Sequence, residues 1–252
     1  VPDFSVVAGV PARVIRRSLD GILRRRDGEW AVVEDLSGLA IPATIQALLT
    51  ARLDRLDREE RAVIERAAIV GRVFSWEAVS WLSPPEVRPH VILRLQSLSR
   101  KELVSPDYSE IGESFRFAHI LIRDAAYGAI PKTDRAAFHE RFADFIELEA
   151  KELSGEYEEI VGYHLDQARR LLLELGPASE RTAQLGARAA AVLGSAGRRA
   201  FGRGDMSAAV KLLHRAAALL PEHDPERAEL LPQVAFALFE TGDFTRLRDV
   251  VA

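Results

Sequence analysis

The segment SFRFAHILIRDAAYGAI, Ser114 to Ile130, places a histidine, an arginine, a carboxylate and a phenol within nine residues. His119, Asp124 and Tyr127 are side-chain types that move protons, and together they could form an acid/base set. Helical spacing points elsewhere. His119 and Arg123 stand at i and i+4, as do Arg123 and Tyr127, whereas Asp124 lies about a hundred degrees round the helix from Arg123. That arrangement suits a hydrogen-bonded and stacked seam, a joint between two elements. The remaining histidines are His90, His139, His164, His214 and His223. None of the six forms His-x-x-x-His or His-Glu-x-x-His, so a metal would need ligands assembled across helices. No catalytic, cofactor-binding or metal-ligating residue is assigned.

The elements around the joint follow from periodicity. Phe115 and Phe117 alternate with Ser114, Arg116 and Ala118, the pattern of a half-buried strand with Arg116 outward. After His119 the period changes: Ile122, Ala125, Ala126 and Ala129 form one helical stripe. Upstream, Leu103 and Val104 read as a first strand and Pro106 to Gly112 as the loop of a β-hairpin. Four helices precede it. Pro42 opens the first, with Ile41, Ile45, Leu48, Leu49, Leu53 and Leu56 as its stripe. REERAVIERAAIVG is the second and stops at Gly71. FSWEAVSWL is the third, and Pro84-Pro85 starts a fourth that ends near Arg100, with Leu93, Leu95 and Leu98 facing the core.

Everything after Lys132 has a helical pattern. Phe138, Phe142, Phe145 and Ile146 make one stripe, and Ile160, His164, Leu165, Ala168 and Leu172 another, closed by Gly176-Pro177. GRGDMSAAVKLL and ETGDFTRLRDVV then each put Gly-Asp between two helices, at Gly204-Asp205 and Gly242-Asp243. The spacing of 38 residues is near that of a tetratricopeptide repeat with a longer linker. Ala187, Ala191 and Gly194 are expected to allow close helix packing. The RGD at Arg203 to Asp205 reads as part of this turn, not as an adhesion motif. Residues 15–33 read as a short amphipathic helix, a turn at Asp27-Gly28 and a strand, with Arg24, Arg25 and Arg26 as a solvated run.

Composition removes several function classes. The 252 residues are 48% apolar, which supplies a real core. With no cysteine there are no disulfides, thiol nucleophiles or thiolate metal sites, and a cytoplasmic setting is the expectation. No run suggests a membrane span or a signal peptide. The only methionine is Met206, so a chain beginning at Val1 reads as a piece of a longer product. Net charge is −4, and residues 42–130 hold twelve Arg/Lys against twelve Asp/Glu. A duplex-binding module normally shows a basic face, so nucleic acid is not expected as a partner. Trp30, Trp76 and Trp81 read as core or interface anchors, since no basic groove accompanies them.

IPATIQALLTARLDRLDREERAVIERAAIVGRVFSWEAV, followed by FRFAHILIRDAAYGAIPKTDRAAFHERFADFIE and VGYHLDQA, resembles the region C-terminal to the NTPase domain of bacterial STAND-class signal-transduction ATPases. These include regulators fused to adenylate/guanylate cyclase domains or to LuxR-type DNA-binding domains. The similarity runs from about Leu19 to Ala168. It implies a mainly α chain: a winged-helix domain with a short β-hairpin, followed by an α-helical, tetratricopeptide-like repeat arm. The implied boundaries are 18–40 for the end of an upstream ATPase lid, 41–130 for the winged helix, 131–176 for a helical arm and 177–252 for incomplete repeats.

Residues 1–17, VPDFSVVAGVPARVIRR, instead resemble the end of a hexapeptide-repeat acyltransferase and read as an extended tail or fusion junction. They stand where the family has a Gly-Asn-Pro type motif. No G-x-x-x-x-G-K-[ST] loop occurs, so no cofactor is expected in this chain, and ATP with magnesium belongs to an upstream domain. Titration calorimetry on the purified chain should accordingly show no magnesium-dependent ATP binding; micromolar binding would refute this.

The resemblance thus implies a non-catalytic relay whose partners are the upstream ATPase domain and a protein or small-molecule effector held by the repeats. Two alternatives stand beside it: a DNA-binding winged helix using Arg88, Arg94 and Arg100, and the C-terminal extension of an acyltransferase.

Overall fold

The computed structural model describes residues 23–26, 29–32, 43–107, 114–149 and 157–251. Residues 1–17 and the hairpin tip, 108–113, lie outside them. Contacts divide the chain into two units, Val1–Arg55 and Leu56–Ala252. This boundary falls inside the stretch 41–130, and no further break separates the arm from the repeats.

In the first unit, strand β1 (Leu23–Arg26) pairs antiparallel with β2 (Glu29–Val32), with Arg26 opposite Glu29. The expected helix does not extend to these arginines. Asp27-Gly28 between two short runs is a strong hairpin signal, and pairing overrides the amphipathic pattern. Helix α1 (Ala43–Asp54) follows. Leu48 is 62% exposed and leaves the expected stripe, whereas Leu53 is buried.

The second unit opens on α2 (Arg58–Val70), which begins at a capping box: Asp57 accepts from the Glu60 amide while the Glu60 carboxylate accepts from the Asp57 amide. The charge-rich stretch RLDRLDREER buries one of its members here. Glu60 is 2% exposed and takes Lys101 Nζ at 2.6 Å and Ser97 Oγ at 2.7 Å. Those partners sit at the end of α4 (Val91–Arg100), so the pair binds α2 to α4. A buried carboxylate is tolerated because every strong acceptor direction is filled.

Between these helices lie β3 (Val73–Ser75) and α3 (Trp76–Leu82), capped by Ser75. FSWEAVSWL is therefore part strand, not all helix. The fourth helix also starts later than expected: Pro84-Pro85 leads through a 3-10 turn, Arg88–His90, and α4 begins at Val91. Its core face is Val91, Leu95 and Leu98, while Leu93 is 61% exposed.

Strand β4 (Val104–Asp107) includes Pro106, which the turn signal places in the loop; as an edge strand it can spare that amide. Strand β5 (Ser114–Phe117) takes the centre of a three-stranded antiparallel sheet in the order β3-β5-β4. Phe115 and Phe117 are buried and Arg116 faces out, as the alternation requires. Phe74 from β3 stacks on Phe115 at 6.2 Å and tilts against Phe117 at 5.3 Å.

The rest is helical: α5 (Ile120–Ala129), α6 (Lys132–Glu149), α7 (Tyr157–Leu175), α8 (Glu180–Gly202), α9 (Met206–Leu219), α10 (Pro225–Glu240) and α11 (Phe244–Val251). From α6 onward each packs chiefly on its sequence neighbours. One apolar cluster joins α3 to α6, α7 and α8 through Leu82, Phe142, Leu165 and Leu185. A second joins α8, α9 and α10 through Leu193, Leu213 and Leu230.

Close packing comes from Gly162 and Gly197, where an added Cβ would meet Leu193 at 2.5 Å and Leu213 at 2.6 Å respectively. Ala187 and Ala191 turn to solvent instead. Among the described residues the chain is mainly helical, and no helix is long and apolar enough to cross a membrane.

Candidate functional site

The strand-to-helix passage at β5 and α5 has no turn residue because His119 caps the helix. Its backbone is extended (φ −147°, ψ 145°), and Nδ1 accepts from the Leu121 amide at 3.1 Å. This is the role usually filled by Ser, Thr, Asp or Asn. Being outside the helix, His119 has no i,i+4 relation to Arg123, and the expected pairing between them is absent from the seam.

Arg123 does make the seam. Its Nε donates to the Ala68 carbonyl at 3.0 Å, in the last turn of α2 where helix carbonyls lack partners. The guanidinium lies 5.0 Å from the Tyr127 ring centroid, and Arg135 of α6 lies 4.9 Å from the same ring. Asp124, a hundred degrees round the helix from Arg123, also joins the seam by pairing with it at 3.1 Å.

Tyr127 carries the joint inward. Its hydroxyl meets His139 Nε2 of α6 at 2.9 Å, and His139 Nδ1 meets His164 Nδ1 of α7 at 2.7 Å. Only one of the two facing Nδ1 atoms holds a proton. If His139 Nδ1–H donates, its Nε2 accepts from the tyrosine hydroxyl; if His164 Nδ1–H donates, His139 Nε2–H donates to the tyrosine oxygen. Either way three helices are tied by a directional chain of neutral groups.

His139 is 1% and His164 3% exposed. Burial pushes the His139 pKa down to about 3, helped by His164, Arg123 and Arg135, and the His164 pKa down to about 4, helped by Arg123. Burial likewise raises that of Tyr127. A general base works best with a pKa near the operating pH and within reach of substrate, and this pair has neither. The contacts link α5, α6 and α7 through neutral, hydrogen-bonded groups.

Neither His139 nor His164 stands out in the sequence as a partner of Tyr127. The available signal was positional, since His139 shares the i, i+3, i+4, i+7 register of Phe142, Ala143 and Ile146, all buried.

The two Gly-Asp turns have the same geometry. Gly204 (φ 79°) and Gly242 (φ 75°) occupy the left-handed region. The Asp205 amide donates to the Ala200 carbonyl and the Asp243 amide to the Leu238 carbonyl, both at 3.0 Å. Gly204 and Gly242 donate to the Phe201 and Phe239 carbonyls at 3.0 and 3.1 Å. These are the two bonds of a Schellman ending. Each aspartate then caps the next helix, accepting from Ala208 at 3.0 Å and from Arg246 at 3.1 Å. Every one of these bonds recurs at an offset of 38 residues.

Two of the three arginines that the DNA-binding alternative would use are engaged internally. Arg94 pairs with Glu59 at 2.9 Å, and Arg88 Nε donates to the Ser83 carbonyl at 3.0 Å. Among the described residues no cluster of three or more His, Asp or Glu could hold a metal. No protein-family model, no curated protein and no solved structure matches this chain.

Proposed function

We propose that this chain is a non-catalytic relay and interaction region of a bacterial STAND-type regulatory ATPase, acting in the cytoplasm. In this reading residues 41–130 form a winged-helix domain, 131–176 a helical arm, and 177–252 tetratricopeptide-like repeats that hold a protein or small-molecule effector. The observation that carries it is the recurrence of the whole Schellman-glycine-aspartate turn 38 residues apart. Helices that repeat one turn geometry and touch mainly their neighbours behave as a solenoid, whose curved face suits a partner. The Tyr127–His139–His164 chain, buried at both histidines, supports the relay half, because a rigid joint passes a tilt of the arm to the sheet-bearing part. ATP and magnesium belong to an upstream domain. The DNA-binding alternative is weakened by the internal pairing of Arg94 and Arg88, and the acyltransferase alternative rests on residues 1–17 alone.

Two measurements test the reading. The coding sequence upstream should contain a Walker-type phosphate loop; a hexapeptide array or neither would overturn the ATPase assignment. Within the chain, Gly204→Val should destabilise the C-terminal helices by about 1–2 kcal/mol, the scale of a strained backbone position. An added Cβ meets nothing within 4 Å, so the effect isolates φ. Hydrogen exchange should lose protection from residue 187 onward and keep it between Arg58 and Ile130. Equal loss in both parts would make the chain one cooperative domain and remove the repeat reading.

A further inference from the structure

A groove of about 530 Å³ runs between β3 and the helices α6 and α7. Phe74, Phe145, Ile146 and Ile160 line it, and Glu77 and Glu149 stand among them. Phe74 and Ile146 are almost wholly covered, so they form the floor; Val73 and Ile160, at 43% and 44% exposure, form open apolar walls. Both glutamates are exposed, and among the described residues neither has an ion pair or hydrogen bond. Among the described residues no lysine or arginine lines the groove. Ile160 also borders a second hollow of about 280 Å³ with Glu159, Tyr163 and Arg215. The cation there is already held, since Arg215 pairs with the buried Asp166 at 3.1 Å.

We propose that this groove docks a basic amphipathic helix of a partner protein, apolar anchors on the floor and Lys or Arg against Glu77 and Glu149. An apolar crevice binds a helix through side chains at i, i+3 or i+4. Carboxylates beside low-dielectric walls attract a cation more strongly than carboxylates in open water, and they leave an acidic partner with unpaired repulsion. The same sign disfavours phosphate-bearing nucleic acid and anionic lipid. The proposal goes beyond the relay reading and does not rest on it, since it concerns β3, α6 and α7 and not the C-terminal turns.

The probe is a fluorescein-labelled peptide of two LKKLLKL heptads, titrated with the purified chain and followed by anisotropy; its counterpart with Glu for every Lys is the control. The lysine peptide should bind saturably and the glutamate peptide should not. Glu77→Gln with Glu149→Gln removes the charge, and Ile160→Ser removes an apolar wall, all at exposed positions. Each variant should weaken binding by about tenfold, as interface anchors do. Added salt should weaken the wild type more than the double glutamine variant. In amide NMR spectra of the wild type, the peptide should shift Val73 and Ile160. Retained affinity in either variant, equal binding of the glutamate peptide, or shifts confined to other surfaces would overturn the proposal. Loss of the repeat reading in the hydrogen-exchange experiment would leave these outcomes unchanged.

Discussion

Truncating Phe117 to alanine should lower the unfolding free energy by about 3–5 kcal/mol, the range for removing a buried aromatic ring from a core. Phe117 is 1% exposed, lies on the central strand of its sheet and tilts against Phe74 at 5.3 Å. The loss has two parts: the transfer free energy of the ring, and the cavity left where sheet and helices cannot close over it. Phe115, 9% exposed at the other buried position of β5, should lose less. Arg116 between them pairs with Asp107 at 2.9 Å on the solvent side, and its replacement by alanine should change stability by no more than about 1 kcal/mol. Urea melts of the three variants check the ordering. A loss under about 1 kcal/mol for both phenylalanines would mean that the sheet presents its opposite face to the helices.

The second large effect is on pH. An ordinary histidine titrates near 6.5, while burial holds His139 to about 3, helped by His164, Arg123 and Arg135, and His164 to about 4, helped by Arg123. Both folded values lie below the unfolded one, so the unfolded chain binds more protons across the interval. Their contribution to stability is fully present above pH 6.5 and is lost as pH falls toward 4 and then 3. Each ring can lower the unfolding free energy by up to about 1.4 kcal/mol per pH unit there. The urea midpoint should therefore be flat from pH 8 to 7 and fall steeply between 6.5 and 5, before most carboxylates titrate. His164→Leu removes one ring and should roughly halve that slope, even if it also shifts the curve as a whole. A wild-type midpoint that stays level between pH 6.5 and 5 would show that the rings protonate in the folded state.

The legible parts of the fold were those with a local cause. The strand period around Phe115, the start of a helix after His119 and the stop at Gly71 all lie in residues that neighbour one another in sequence. So do the φ > 0 glycines at 204 and 242, because a Gly-Asp pair between two helical stripes carries its own turn chemistry. The joint was legible only in outline. Arg123, Asp124 and Tyr127 do meet, whereas His119 left the group because the helix begins one residue after it. Helical spacing could not place a residue that is not helical.

What the sequence by itself determined is most of the helices, the alternating buried phenylalanines, the repeated turn and the absence of cysteine. Each depends on period, capping or residue type over a few positions. The tertiary structure decided the rest. It made a third strand of Val73–Ser75, too short to announce itself, by pairing it with β5 forty residues on. It chose Glu60 from a run of similar charges and buried it against Lys101, and it brought His139 and His164 to Tyr127. It also opened a groove whose walls come from β3, α6 and α7. Burial and partner choice are free energies of the whole packing arrangement: the same glutamate or histidine is solvated in one environment and neutral or ion-paired in another. No local pattern carries that difference.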